Sequence, residues 1–184
     1  MVKTLPIGKN KPEVSALKNI LKYIGLFVIG LTMAVVIYPV IHEFSHSVVA
    51  TVIGVTVIKV SIFPLPYVLC DMVNSSIINV VAVGMSGIVL PFALSLLIKT
   101  KNFWIWYANY IIVGISTFSF AITIVSTILF MMGKPMNNDD VTQILTLYPD
   151  AGWFVLVIAV LLLAIGIIKL SRAGLISRCV DYFL

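Results

Sequence analysis

His42, Glu43 and His46 are the residues of this chain best equipped to do chemistry. They stand in H-E-F-S-H, a His-Glu-x-x-His pattern, and the two histidines are the only ones in 184 residues. On an α-helix, positions i and i+4 share a face, so both imidazoles reach one metal ion. Glu43 follows the first of them, turned by about 100° around the helix axis. Its carboxylate there reaches a water beside the ion rather than the ion itself. Two ligands and a general base are the equipment of a zinc hydrolase. The plainer use of the same residues is a packed histidine and a Glu43–His46 contact along one helix face. Both histidines and one of two glutamates fall into this register, which favours the metal site.

The elements that must hold these residues are apolar. Hydrophobic residues make up 61% of the chain and charged residues 10%, a balance that excludes an ordinary soluble domain. Four apolar segments stand out: Ile20–Ile53, Ile77–Ile98, Phe103–Met132 and Trp153–Leu170. Each is long enough, or nearly so, to cross about 30 Å of hydrocarbon. The H-E-F-S-H motif lies inside the first, and ionisable groups at membrane depth are functional candidates. The sequence therefore predicts an all-α polytopic membrane protein of about four transmembrane helices, with a short β segment after the first. Residues 1–16 read as a cytosolic tail, 17–170 as one membrane-embedded domain, and 171–184 as a basic cytosolic segment.

Charge sets the expected orientation. Ten of the twelve basic residues, among them Lys18, Lys22, Lys99, Lys101, Lys169, Arg172 and Arg178, fall on one side of the four spans. Only Lys59 and Lys134 fall on the other, with Asp71, Asp139, Asp140 and Asp150. By the positive-inside rule both termini are cytosolic, in a multi-pass protein of the plasma membrane. The basic ends suit anionic lipid headgroups and give no reason to expect nucleic acid. Trp104, Trp106, Tyr107, Tyr110 and Trp153 mark the interfaces. No small-x-small site closes the first apolar run, so cleavage as a signal peptide is not expected. Cys70 and Cys179 fall on opposite sides and read as ordinary thiols.

Local signals refine the elements. Pro39 lacks an N–H and frees the carbonyl of Val35, so a kink is expected just before His42. Gly54 ends that helix. Val55–Phe63 is rich in β-branched residues and reads as a strand or hairpin, stopped by Pro64 and Pro66, with Thr56, Ile58, Val60 and Ile62 on one face. Its open edge is suited either to strand addition by an extended substrate or to packing over the bundle. Gly84, Ser86 and Gly87 in V-G-M-S-G are small enough for close helix contact, and Asn109, Ser116, Ser119, Thr123 and Ser126 form a stripe that should face the bundle interior. In N-N-D-D, one of Asn138, Asp139 and Asp140 should cap a short helix running to Leu147.

A catalytic zinc takes three protein ligands and leaves a position open. With no third histidine, the remaining ligand is an acid or a thiol: Asp71, Asp139, Asp140, Asp150 or Cys70. Asp139 and Asp140 follow the outer end of the third span, and the histidines lie in the outer half of the first, so topology alone brings them together.

At these residues the chain resembles the site-2 protease family of intramembrane zinc metalloproteases. I-H-E-F-S-H-S-V-V-A-T-V-I-G is similar to the family's first motif, and V-G-M-S-G-I to its second without the usual proline. N-N-D-D-V-T-Q-I-L-T-L-Y-P-D-A-G-W is similar to its Asp region, without the N-P-D-G form of larger members. The resemblance spans about residues 25–165. It implies Zn²⁺ on His42, His46 and one aspartate, Asp139 in preference to Asp140, with Glu43 activating water. It implies as substrate a single membrane helix, cut in the bilayer. The charge bias places the site nearer the external face, whereas many family members cut near the cytosol. A catalytically silent metal-binding subunit on the same scaffold is the competing expectation, and it has no need of Glu43. No oligomeric state is implied.

Overall fold

The computed structural model describes residues 12–137 and 139–183. Residues 1–11 of the expected tail, Asn138 and Leu184 lie outside them, while residues 12–16 open the first helix. Four helical stretches are long and apolar enough to cross a membrane, Leu17–Val52, Ile77–Leu97, Phe103–Met131 and Pro149–Phe183. They accord with the four apolar segments of the sequence.

The first stretch is built from α1 (Pro12–Thr32), a π-helical turn (Met33–Ile37) and α2 (Tyr38–Val52). The π turn is how the chain accommodates Pro39. The Tyr38 N–H reaches back five residues to the Met33 carbonyl, and Pro39 then sits in the first turn of α2, where no N–H is required. The expected kink is thus a widened turn that resets the helix face just before His42.

Helix α2 ends in a Schellman motif. Gly54 takes φ +78°, the Gly54 N–H bonds Thr51 O, and the Val55 N–H bonds Ala50 O at 2.8 Å. Val55 and Ala50 then pack with Val83. The chain turns at once into β1 (Val57–Ser61), which pairs antiparallel with β2 (Tyr67–Cys70). The element is therefore a hairpin shorter than the Val55–Phe63 run. A register irregularity between Val57 and Lys59 breaks the simple alternation expected of Thr56, Ile58, Val60 and Ile62.

Helix α3 (Ile77–Leu97) starts at Ser76, whose hydroxyl accepts from the Asn79 N–H at 3.3 Å. Helix α4 (Phe103–Met131) starts at Asn102, whose side chain accepts from Trp104 and Ile105. The short α5 (Asp140–Leu147) and α6 (Gly152–Arg172) follow, and α7 (Leu175–Phe183) closes the described chain. The core lies among α3, α4, α5 and α6, around Phe92, Phe120, Ile144, Leu145 and Val155. The polar stripe of α4 does face inward: Asn109, Ser116, Thr123 and Ser126 are buried, and Ser119 is half-buried. From Leu17 to Leu31 most apolar side chains of α1 are exposed, Phe27 and Leu31 among them. Such a face suits hydrocarbon, not water.

Candidate metal centre

Three elements converge on one point. Helix α2 carries His42 and His46 one turn apart, and α5 brings Asp140 at its first residue. His42 Nε2 lies 3.1 Å from Asp140 Oδ2 and 3.2 Å from His46 Nε2, and His46 Nε2 lies 3.4 Å from the same Oδ2. These three atoms form a nearly equilateral triangle. Zinc bonds of about 2.0–2.1 Å in tetrahedral array require ligand atoms roughly 3.3 Å apart. The donor set and its spacing therefore fit a zinc ion with a fourth position left open.

The third helix, α3, braces this triangle. His46 Nδ1 donates to the Val83 carbonyl at 2.6 Å, and Ser86 Oγ lies 3.3 Å from the same nitrogen while donating to Val83 O. Donation from Nδ1 leaves the Nε2 lone pair free for a metal and fixes the ring plane. A Cβ at Gly87 would stand 2.5 Å from both His42 Cε1 and His46 Nε2, and one at Gly84 would stand 2.5 Å from Ile144 of α5. The small residues of V-G-M-S-G thus let α3 approach the ligands of α2 and the helix that bears Asp140. The sequence marks them only as helix-packing residues. Their role toward the histidines comes from the register between α2 and α3, which no local signal encodes.

The group that could hold a metal contains Asp140 and not Asp139, the acid that the resemblance favours. Asp139 is the N-cap of α5, and its carboxylate accepts from the Thr142 N–H at 3.2 Å and from the Ser126 hydroxyl. A capping side chain folds back over the helix end. The next residue, turned by about 100°, faces α2 instead. Burial alone would raise the Asp140 carboxyl, but the two imidazoles beside it outweigh that and hold it well below the usual carboxylate range.

The other candidates are elsewhere. Asp71 is exposed and accepts from the Val73 N–H, and Asp150 is exposed in a short 3-10 turn. Cys70 lines the cavity beside Glu43 and His46 but is not in the ligand group, and burial pushes its thiol up, away from the thiolate a metal needs. Among the described residues, His42, His46 and Asp140 are the one such group of metal-ligating side chains.

Glu43 faces the hairpin, where its Oε2 accepts the Val68 N–H at 3.0 Å. Val68 pairs with Val60 across the hairpin, and this N–H faces away from β1. The outer edge of β2 is therefore turned toward the site. A cavity of about 300 Å³ lies between that edge and α3, lined by Glu43, His46, Val68, Cys70, Gly84 and Asp140. A second hollow of about 200 Å³ reaches the group from the side of His42, past Ser119 and Thr123.

No protein-family model, curated protein or solved structure matches this chain.

Proposed function

We propose that the protein is an intramembrane zinc metalloprotease that cuts membrane-spanning proteins. One observation carries the reading: two imidazole nitrogens and a carboxylate oxygen at zinc-ligand spacing, on helices apolar enough to cross a membrane. The resemblance to site-2 proteases is part of the same proposal. His42, His46 and Asp140 would hold the ion. When bound, zinc supplies Lewis-acid polarisation of a carbonyl and of water.

The remaining chemistry belongs to the chain. Glu43 accepts the proton of an attacking water and returns it to the leaving amine. A carboxylate has a second oxygen for that proton while Oε2 keeps the Val68 N–H; a peptide that pairs with Val68 would displace Oε2, and this ties the hairpin edge to the catalytic base. A substrate helix must unwind, because its peptide groups are otherwise paired and shielded. The unwound segment has a partner ready in the outer edge of β2, and strand addition there would draw the peptide past Glu43. The half-buried cavity beside it accommodates a few side chains.

The test is metal removal. Purified protein reconstituted with a membrane-helix reporter should lose cleavage on exhaustive chelation and regain it with zinc. Cleavage that persists after metal analysis shows the protein stripped would sink the reading.

The ten-to-two split of basic residues supports cytosolic termini. A reporter fused at the C-terminus and one inserted in the Lys134–Asn137 loop should report opposite sides, with the C-terminus inside. An external C-terminus overturns the orientation but leaves the site untouched.

A further inference from the structure

The largest cavity described lies at the opposite end of the bundle from the metal group, and the protease reading makes no use of it. It encloses about 560 Å³ where α3 ends, α4 begins and α6 passes into α7. That volume is in the range of sites that hold an organic ligand.

Its lining is divided by chemistry. Lys99, Lys169, Arg172 and Arg178 bring four positive charges to the wall, and no acid lines it. Asp181 lines a separate hollow with Lys101 and Arg178. Among the described residues, none of the four cations pairs with a carboxylate. Gathering like charges around a partly enclosed space costs energy unless an anion joins them. The positions are not loose. Arg178 is held over the Trp106 ring, 4.8 Å from its centroid, and α7 itself is docked by Tyr182 stacked on Phe103 at 4.0 Å. Lys22 Nζ ties it further, donating to Tyr182 O at 2.7 Å.

Ile165 and Ile168, at the α6 side, are exposed apolar residues that also line it. The occupant thus carries an anion and an apolar body.

We propose that this cavity binds the headgroup of an anionic phospholipid of the phosphatidylglycerol type. The phosphate meets the four cations, and the acyl chains leave over Ile165 and Ile168. Basic hollows between membrane helices are suited to such headgroups, and this one lies at the end of the bundle where the basic residues collect. Phosphatidylcholine carries the same phosphate, but its quaternary ammonium is repelled by the four cations, so it is the weaker occupant. The assignment is independent of proteolysis.

Nanodiscs holding equal phosphatidylglycerol and phosphatidylcholine provide the test, with lipid retained by the extracted protein read by native mass spectrometry. Wild type should keep phosphatidylglycerol over phosphatidylcholine by about tenfold, the scale that one or two well-placed cations give. Lys99→Gln/Arg172→Gln/Arg178→Gln should bring retention to parity, while Lys59→Gln/Lys134→Gln at the other end should not. Parity in wild type, or an unchanged preference in the triple variant, overturns the proposal. Displacement of the lipid by millimolar inorganic phosphate also overturns it, assigning the cations to a free anion. A further measurement leaves the lining intact. With Trp104→Phe and Trp153→Phe, Trp106 is the sole indole and should be quenched more by brominated phosphatidylglycerol than by brominated phosphatidylcholine. Equal quenching counts against the site even where the triple variant does not fold.

Discussion

Asp140→Asn should strip the protein of stoichiometric zinc, and Asp139→Asn should leave the metal in place. The two acids are neighbours in sequence, yet one atom of Asp140 closes the triangle with both imidazoles while Asp139 caps α5. An amide oxygen at position 140 keeps the shape but loses the anionic ligand. The loss should exceed the roughly 10–100-fold in affinity that removal of an outer-shell partner costs. At position 139 asparagine caps a helix about as well as aspartate, so the change should cost well under about 1 kcal/mol of stability. Metal content of the purified variants is the measurement. Gly87→Ala reaches the same loss by another route, because its Cβ would stand 2.5 Å from His46 Nε2 and His42 Cε1. Overpacking of this kind costs about 1–3 kcal/mol, and here the atoms that must give way are those that would hold the ion. Gly87→Ala should therefore lose metal while keeping its helical content. If Asp139→Asn loses zinc and Asp140→Asn does not, the ligand assignment is reversed. If neither loses it, the metal centre itself is wrong.

The contrast between these two acids shows what was legible in the sequence. The four long apolar helices were legible because the length and composition that crossing hydrocarbon demands are written in each segment. The His42–His46 face was legible because i,i+4 spacing is a property of one helix. The polar stripe of α4 was legible for the same reason. Asp140 was not separable from Asp139, because capping and ligation both ask for a carboxylate at the start of a helix. Only the packing of α5 against α2 and α3 decides which acid does which. Val83 and Ser86 were hidden for a related reason: the bond from His46 Nδ1 to a backbone carbonyl leaves no mark on residue type. The hairpin was only partly legible. β-branched residues announced β1, but the contact of Val68 with Glu43 depends on how β2 folds over α2.

That contact shapes the second result with a large expected effect, Glu43→Gln. Glutamine keeps the length and an acceptor oxygen for the Val68 N–H, so the hairpin should stay docked. Glu43 is not among the atoms of the ligand triangle, so most of the zinc should remain bound. What the change removes is basicity. A positioned general base contributes typically about 10²–10⁴-fold, and cleavage of a membrane-helix reporter should fall by at least that lower figure. The two readouts together separate the possible failures. Zinc retained with cleavage lost supports Glu43 as the base. Zinc lost as well would make Glu43 a structural support of the centre. Full cleavage in Glu43→Gln would defeat the proposed mechanism. A wild-type protein that binds zinc through His42, His46 and Asp140 but cuts no membrane helix would favour the silent metal-binding subunit. In that case Glu43→Gln should leave both the zinc and the docked hairpin unchanged, because the carboxylate would have no proton to carry.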